Sequence, residues 1–260
     1  MVSPETWRRR VAHAVRGAGS AASSTLAGLL DVVYPRRCVA CGVRSDTDSD
    51  AHICWDCLAA FEFIQAPFCS KCGDPVDGKV DHEFVCSWCR SHDPHFLRAR
   101  SAVRFRGPAR RALHALKYQA ATYVARDLAR LLASCVAVHY PEVLFDAVCC
   151  VPLYPRRERE RTYNQSKLLA HRLAHETRLH VATDALVRTR DTPSQIELNA
   201  SQRRANVRGA FTPRIPEWIE GRRLLLVDDV MTTGATVEEC ARVLQEAGAA
   251  GVHVVTVARG

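Results

Sequence analysis

The sequence predicts an α/β protein, a parallel sheet flanked by helices, preceded by a small region folded around metal. Three observations carry this. Four C-x-x-C pairs crowd into residues 38–89. Beyond them, short β-branched runs alternate with amphipathic runs to the C-terminus, the pattern of strand–helix–strand units with right-handed crossovers. One of those strands, LLLVDD at 224–229, ends in adjacent carboxylates and is followed by TTGAT at 232–236. Ligands of such sheets gather at the carboxyl ends of the strands.

At 260 residues, with 47% hydrophobic and 25% charged residues, the chain can hold one large or two modest domains. No apolar run approaches the roughly 18–20 residues that a bilayer demands, so stable membrane insertion is not expected. The opening stretch, MVSPETWRRRVAHAVRGAGSAASSTLAGLL, imitates a signal peptide, but His13 and Arg16 interrupt its apolar core. It is read as a helical lead-in over 1–37, and the expected compartment is the cytoplasm. The net charge of +8 is unevenly spread: residues 1–95 carry 10 Lys+Arg against 12 Asp+Glu, residues 96–260 carry 26 against 16. The basic excess lies in the C-terminal part and points to an anionic ligand there.

The cysteines define the N-terminal part. Cys38/Cys41, Cys54/Cys57, Cys69/Cys72 and Cys86/Cys89 are separated by 12, 11 and 13 residues. Four such pairs are too many for one redox centre, and a disulfide framework needs an oxidising compartment. Two adjacent C-x-x-C turns supply the four thiolates of a tetrahedral zinc site, with Gly42 and Gly73 giving the knuckles backbone freedom. Two structural Zn2+ sites are therefore expected. Sequential pairing, Cys38, Cys41, Cys54 and Cys57, then Cys69, Cys72, Cys86 and Cys89, gives two consecutive ribbons over 38–95; the spacing also permits an interleaved cross-brace. Large apolar residues are few between Cys38 and Cys89, so metal rather than packing should hold this part. His52 and His82 are read as bystanders. Each tetrathiolate centre carries a formal charge of −2, which repels phosphate, so the ribbons are expected to serve as a scaffold or protein-docking element. Cys135, Cys149, Cys150 and Cys240 lie in apolar surroundings and are read as small core residues.

Over 96–260 the elements alternate. SAVRFRG (101–107) reads as a short strand. Residues 108–140 have helical periodicity in two pieces around Lys117–Ala121. FDAVCCVPL (145–153) is a buried strand closed by Pro152. NQSKLLAHRLAHETRL (164–179) is amphipathic, with Leu168, Leu169, Leu173 and Ala174 on one face. VATDALVRT is extended, and the stretch to about 210 is polar. RRLLLVDDV is a buried strand, TVEECARVLQEAGA a helix stopped by Gly248, and GVHVVTVAR a last strand.

Asp228 and Asp229 thus fall at a strand end, with Met231–Thr236 as the loop into a helix. Backbone N–H groups at a helix start favour an anion. Thr232, Thr233 and Thr236 add hydroxyl donors, and Gly234 and Ala235 keep the turn small. Two carboxylates repel a phosphate but accept hydrogen bonds from sugar hydroxyls beside it. A ribose 5-phosphate group answers both demands. No Gly-Lys-Ser/Thr tripeptide and no G-x-G-x-x-G run occurs. An Asp-Asp turn with a threonine cap explains the helix start but not the paired acids.

LLLVDDVMTTGAT resembles the PRPP-binding motif of type I phosphoribosyltransferases. Over about 30–260 the chain resembles the ComF family of competence-related proteins: the cysteine pairs, then HALKYQ, VPLYPRRERERTYNQSKLLA, QIELNASQRRANVRGAF and the PRPP motif. The resemblance implies a type I phosphoribosyltransferase-like PRPP-binding domain over 96–260. Asp228 and Asp229 would hold the ribose hydroxyls, and Thr232, Thr233, Gly234, Ala235 and Thr236 would cradle the 5-phosphate. The loop with Arg157, Arg161, Asn164 and Gln165 would take pyrophosphate, which guanidinium forks suit. Residues 190–208 would form a lid, with Gln195, Arg203 and Asn206 matching the family pattern. Thr162 departs from that pattern, which has Gly there, and its β-carbon narrows the loop's conformations.

Two function classes follow. One is a PRPP-binding protein that handles single-stranded DNA during natural transformation, using the basic domain for phosphates. The other is a catalytic phosphoribosyltransferase, in which Mg2+ neutralises pyrophosphate and positioning stabilises an oxocarbenium-like state. A PRPP sensor with a zinc-ribbon docking arm for a protein partner is a third reading.

Overall fold

The computed structural model describes residues 37–44, 51–76, 78, 80, 82–192 and 199–260. The expected lead-in up to residue 36 and Gln195 of the expected lid lie outside them. Within the cysteine-rich part, two short helices, α1 (Trp55–Ala59) and α2 (Ser87–His92), begin directly after Cys54 and Cys86. Then follow β1 (Arg98–Arg104), α3 (Gly107–Tyr118), a 3-10 turn at Thr122–Val124 and α4 (Ala125–His139). The predicted two-piece helix is therefore present, broken where Ala120 takes a positive φ of 52°.

The remaining elements are β2 (Ala147–Cys150), α5 (Pro155–Arg161), α6 (Gln165–Thr177), β3 (His180–Val181), β4 (Leu186–Arg188), α7 (Ala200–Val207), β5 (Phe211–Pro213), α8 (Pro216–Ile219), β6 (Arg223–Met231), α9 (Ala235–Glu246) and β7 (Gly251–Arg259). Five strands form one parallel sheet in the order β1-β7-β6-β2-β3. β4 and β5 pair antiparallel as a separate ribbon.

Both faces of the sheet are covered, as a parallel sheet requires. Leu225 and Val227 of β6, with Val255 and Val257 of β7, pack in one cluster with α3, α4 and α6. Leu224, Leu226, Val252 and Val254 point the other way, into a cluster with Val237, Cys240, Ala241 and Leu244 of α9. The period-two alternation divides each strand between two cores.

Each zinc-ribbon half joins a different core. Cys38, Ala40, Ile53, Cys57 and Phe61 belong to the first cluster, and Cys69, Cys72 and Cys89 to the second. The segment between them runs along β1, the sheet's edge. Ile64 N donates to Ala102 O (3.0 Å), Arg104 N to Glu62 O (2.8 Å) and Ala99 N to Lys71 O (2.7 Å). The cysteine-rich part thus straddles and covers an edge that would otherwise present unpaired backbone groups.

Several boundaries differ from the sequence reading for local reasons. β1 begins at Arg98 rather than residue 101, because its pairing with β7 starts at Arg98↔His253. β2 is shorter than 145–153, since Pro152 has no N–H to donate. β6 runs on to Met231, paired with Arg259, so the loop after it is three residues, Thr232 to Gly234. The extended stretch VATDALVRT is two strands in two different sheets. The charged segment after Pro155 is a helix, α5, with that proline in its first turn. Part of the polar stretch expected as a lid is a helix too: α7 carries a capping box between Asn199 and Gln202.

Candidate functional site: two metal centres and an acid-and-hydroxyl cleft

The eight paired cysteines assemble as two sets of four, Cys38/Cys41/Cys54/Cys57 and Cys69/Cys72/Cys86/Cys89, each with all sulfur atoms within 4.8 Å of one another. The pairing is sequential, not interleaved. Thiolates about 2.3 Å from a tetrahedral zinc stand about 3.8 Å apart, and Cys41 Sγ to Cys54 Sγ is 3.7 Å while Cys72 Sγ to Cys86 Sγ is 3.8 Å. The donor set therefore fits zinc. Local construction repeats between the two sites. Gly42 and Gly73 have φ of 75° and 68°, and each donates its N–H to the carbonyl of the first cysteine at 2.8 Å. Cys54 N and Cys86 N approach Cys38 Sγ and Cys69 Sγ at 3.3 and 3.4 Å. A β-carbon on Gly73 would come within 2.5 Å of Ala99 O, so β1 packs directly against this knuckle. His52 and His82 are absent from both sulfur clusters. Cys135, Cys149, Cys150 and Cys240 are buried core thiols, with burial pushing Cys135 and Cys149 up to about 12.

All nine residues expected to hold PRPP come together at the carboxyl ends of β2 and β6. Asp228, Asp229, Arg157, Arg161 and Thr236 line a cleft of about 230 Å³. Thr232, Thr233, Gly234 and Ala235 line an adjoining hollow that shares Asp228 and Thr236. Gly234 caps α9 with φ 79°, a conformation that favours glycine, and Thr233 Oγ1 accepts from Ala235 N at 3.4 Å. The hollow is the start of a 12-residue helix, where exposed N–H groups favour an anion.

The acids are held differently. Asp228 Oδ1 accepts from Ser166 Oγ at 2.7 Å and from Asp229 N at 3.0 Å. Asp229 Oδ1 accepts from Val230 N at 2.7 Å, and its Oδ2 lies 2.9 Å from Lys117 Nζ. Burial, and then the charge of Asp229, raise the Asp228 carboxyl to about 7, against the opposing pull of Ser166 and Lys117.

The expected pyrophosphate wall is α5 and the turn after it. Arg161 donates to Gln165 Oε1 at 2.5 Å, and its guanidinium lies 5.3 Å from the Tyr118 ring centre. Asn164 is buried and spent on structure: its Oδ1 caps α6 by accepting from Ser166 N and Lys167 N, and its Nδ2 donates to Val151 O. Thr162 adopts the left-handed conformation that the family glycine would supply, φ 69°. From α7, in the expected lid, Arg203 Nη1 reaches Thr232 Oγ1 at 3.1 Å.

Lys117, Ser166 and Arg188 were not anticipated as site residues. Lys117 lies in HALKYQ and Ser166 directly follows the Asn-Gln of the expected loop, so the motifs mark both segments without giving either side chain a role. Arg188, on β4, lines the cleft with its guanidinium 5.3 Å from the Phe211 ring centre. Burial pushes it below its ordinary value, and its Nε has no hydrogen-bond partner.

Comparison with known proteins agrees with this architecture. Residues 29–90 match the double zinc ribbon domain and residues 166–260 the phosphoribosyl transferase domain. The chain is 35% identical over 190 residues to the DNA utilization protein YhgH of Escherichia coli O157:H7, covering 72% of this chain and 81% of that one. It is 30% identical over 198 residues to competence protein F of Haemophilus influenzae, covering 74% and 85%. To competence protein ComFC of Bacillus subtilis it is 27% identical over 220 residues, covering 81% and 85%. The fold is thus that of a zinc-ribbon protein with a phosphoribosyltransferase domain. Within that class the chain belongs to the ComF family, and its N-terminal part binds zinc. Among the described residues no helix is long and apolar enough to cross a membrane.

Proposed function

We propose that this protein binds PRPP at the carboxyl end of β6 and acts in the handling of incoming single-stranded DNA. The observation that carries the ligand is the juxtaposition of Asp228 and Asp229 with the small hydroxyl-rich turn that opens α9. The acids accept the ribose hydroxyls. Thr232, Thr233, Gly234, Ala235 and Thr236 surround the 5-phosphate, and Arg157 and Arg161 face the pyrophosphate. Mg2+ fits as an ion carried by the diphosphate rather than caged by protein: Asp229 Oδ1 accepts from Val230 N and its Oδ2, which accepts no hydrogen bond, is neutralised by the Lys117 ion pair, and Mg2+ commonly combines few carboxylates with ligand phosphates. Bound there, it would supply charge neutralisation to the diphosphate.

The DNA role draws on the relatives, which carry the names DNA utilization protein and competence protein, and on the basic excess of 96–260. The ribbons serve as scaffold, and a protein partner would find Trp55, 74% exposed, on the first of them. Calorimetry of Mg-PRPP binding tests the ligand: Asp228→Asn with Asp229→Asn should abolish the heat while the circular dichroism spectrum persists. Unchanged binding in the double variant would rule out the ribose assignment.

A further inference from the structure

HALKYQ, at 114–119, is a family motif whose lysine has no role in the reading above. It forms the last turn of α3. The helix buries Ala109, Ala112, Leu113, Ala115 and Leu116 in the core. Two of its side chains make polar contacts that serve different parts of the molecule. Near the start, Arg111 Nε donates to Ala40 O, inside the knuckle between Cys38 and Cys41. In the last turn, Lys117 Nζ makes its 2.9 Å ion pair with Asp229, the two side chains only 21% and 4% exposed.

The lysine end is pinned. Tyr163 Oη donates to Leu116 O, and Arg161 packs over Tyr118. The first ribbon is also tied to α4, where Asp127 Oδ2 accepts from His52 N (2.6 Å) and Ile53 N (3.1 Å). The ammonium sits in the C-terminal turn of its helix, where a cation is favoured. Burial alone would push it down, but Asp229, with Asp228 behind it, holds it above its ordinary value. Two adjacent buried carboxylates repel each other, and Lys117 is the lysine that lines their cleft.

We propose that Lys117 is a positioning residue of the ribose clasp, fixing the Asp229 carboxylate by a direct ion pair, and that the first zinc ribbon holds this lysine in register through Arg111 on the same helix. The inference rests on the PRPP reading of the cleft. It gives the ribbon a part in ligand binding that needs no contact with ligand. The charged and titratable groups facing the pair are Asp228 on β6, Tyr118 on α3, Tyr154 just before α5, Arg157 and Arg161 on α5, and Arg188 and Asp191 at the β4 side.

The test uses the zinc-loaded full chain with Lys117→Met, Lys117→Arg, Arg111→Ala and the Lys117→Met/Arg111→Ala double variant. Mg-PRPP affinity is measured by calorimetry from pH 6 to 8.5. Lys117→Met should weaken binding at least tenfold at pH 7, and the deficit should shrink toward pH 8.5 as Asp228, raised to about 7 even with the ammonium nearby, ionises without it. Lys117→Arg should recover most of the affinity. Arg111→Ala should weaken binding about threefold alone and add nothing in the Lys117→Met background. Lys117→Gln carries the same comparison should Lys117→Met not fold. Equal affinity and an equal pH profile in Lys117→Met overturn the positioning role, and additive losses in the double variant overturn the ribbon's part.

A second readout needs no ligand. The carboxyl carbon resonance of Asp228, followed by NMR, should titrate at higher pH in Lys117→Met than in the parent, because Lys117 pulls that carboxyl down. Should PRPP bind neither parent nor variants, the function reading fails while this titration still decides on the ion pair.

Discussion

Arg259, the last residue of β7, is buried with its Nε 3.0 Å from Asp74 Oδ1 and its Nη1 3.2 Å from Cys72 O. The final strand of the sheet therefore ends in the second zinc knuckle. Its Nη2 also stands 3.9 Å from Cys72 Sγ, so the guanidinium faces the negative charge of the thiolate centre. Arg259→Ala removes charged hydrogen bonds from a buried carbonyl and a carboxylate, a loss of about 2–3 kcal/mol. Thermal unfolding of the zinc-loaded chain should show a melting point lower by several degrees. Transfer of zinc to a competing chelator should be faster than in the parent. An unchanged melting point would mean that the second ribbon is held without this strand.

Asp228 makes the molecule's stability depend on pH near neutrality. Its carboxyl is raised to about 7 by burial and by Asp229, so between the ordinary carboxylate range and pH 7 the folded state binds more protons than the unfolded state. Stability contributed by this group then falls as pH rises through that window. Asp228→Asn should remove the decline, leaving a variant more stable than the parent at pH 8 and little different at pH 5. Melting curves at the two pH values check the sign. Binding sites commonly carry such a cost in the unliganded protein.

His253 acts in the opposite direction. It is buried on β7 between the rings of Tyr140 (5.2 Å) and Phe145 (5.4 Å), with Nδ1 lacking a partner. Burial, followed by the nearby Arg98 and Arg223, lowers it to about 4. The unfolded state therefore takes up a proton below about pH 6.5 that the folded state refuses, and stability falls as pH drops from there toward 4. His253→Leu should flatten that acid limb. A parent-like slope in the variant would place the acid sensitivity elsewhere.

Legibility in the sequence followed the range of the interactions. The zinc ligands and the turn from Asp228 to Thr236 are local motifs, whose chemistry is written in residues a few positions apart. Gly42 and Gly73 were readable for the same reason. Lys117 was not, because it sits on α3 while its partner Asp229 belongs to β6, far along the chain, and no local pattern ties the two. Asn164 was read as a ligand although it caps α6; its place before an amphipathic run was the available signal. The α5 helix was hidden by its charge, yet Pro155 at its first position marked a start. The packing of one ribbon against each face of the sheet depends on the β1 edge, which composition does not disclose.

The DNA reading separates the two parts of the chain by charge. Each phosphate neutralised contributes a little under one unit to the slope of log affinity against log salt. Lys71→Ala with Arg90→Ala, both on the second ribbon, should leave that slope unchanged for a single-stranded oligonucleotide. Arg130→Ala with Arg172→Ala and Arg178→Ala, all exposed in the basic part, should reduce it. A slope that falls only with the ribbon variants would move the DNA contact to the ribbons.

Thr162 ends α5 at φ 69° and ψ −8°, a region that costs a β-branched residue about 1–2 kcal/mol. Its Oγ1 donates to Arg161 O at 2.6 Å, a local bond that offsets part of this. The conformation is the one a glycine would take freely, so the turn keeps its shape where the family's residue has been replaced. Thr162→Gly relieves the strain but gives the unfolded chain more freedom, and the net gain should be about 0.5–1 kcal/mol, read as a melting point higher by about 1–4 °C. Arg157 and Arg161 stay on the same helix, so Mg-PRPP affinity should change less than threefold. A lower melting point in Thr162→Gly would show that the hydroxyl contact outweighs the backbone strain.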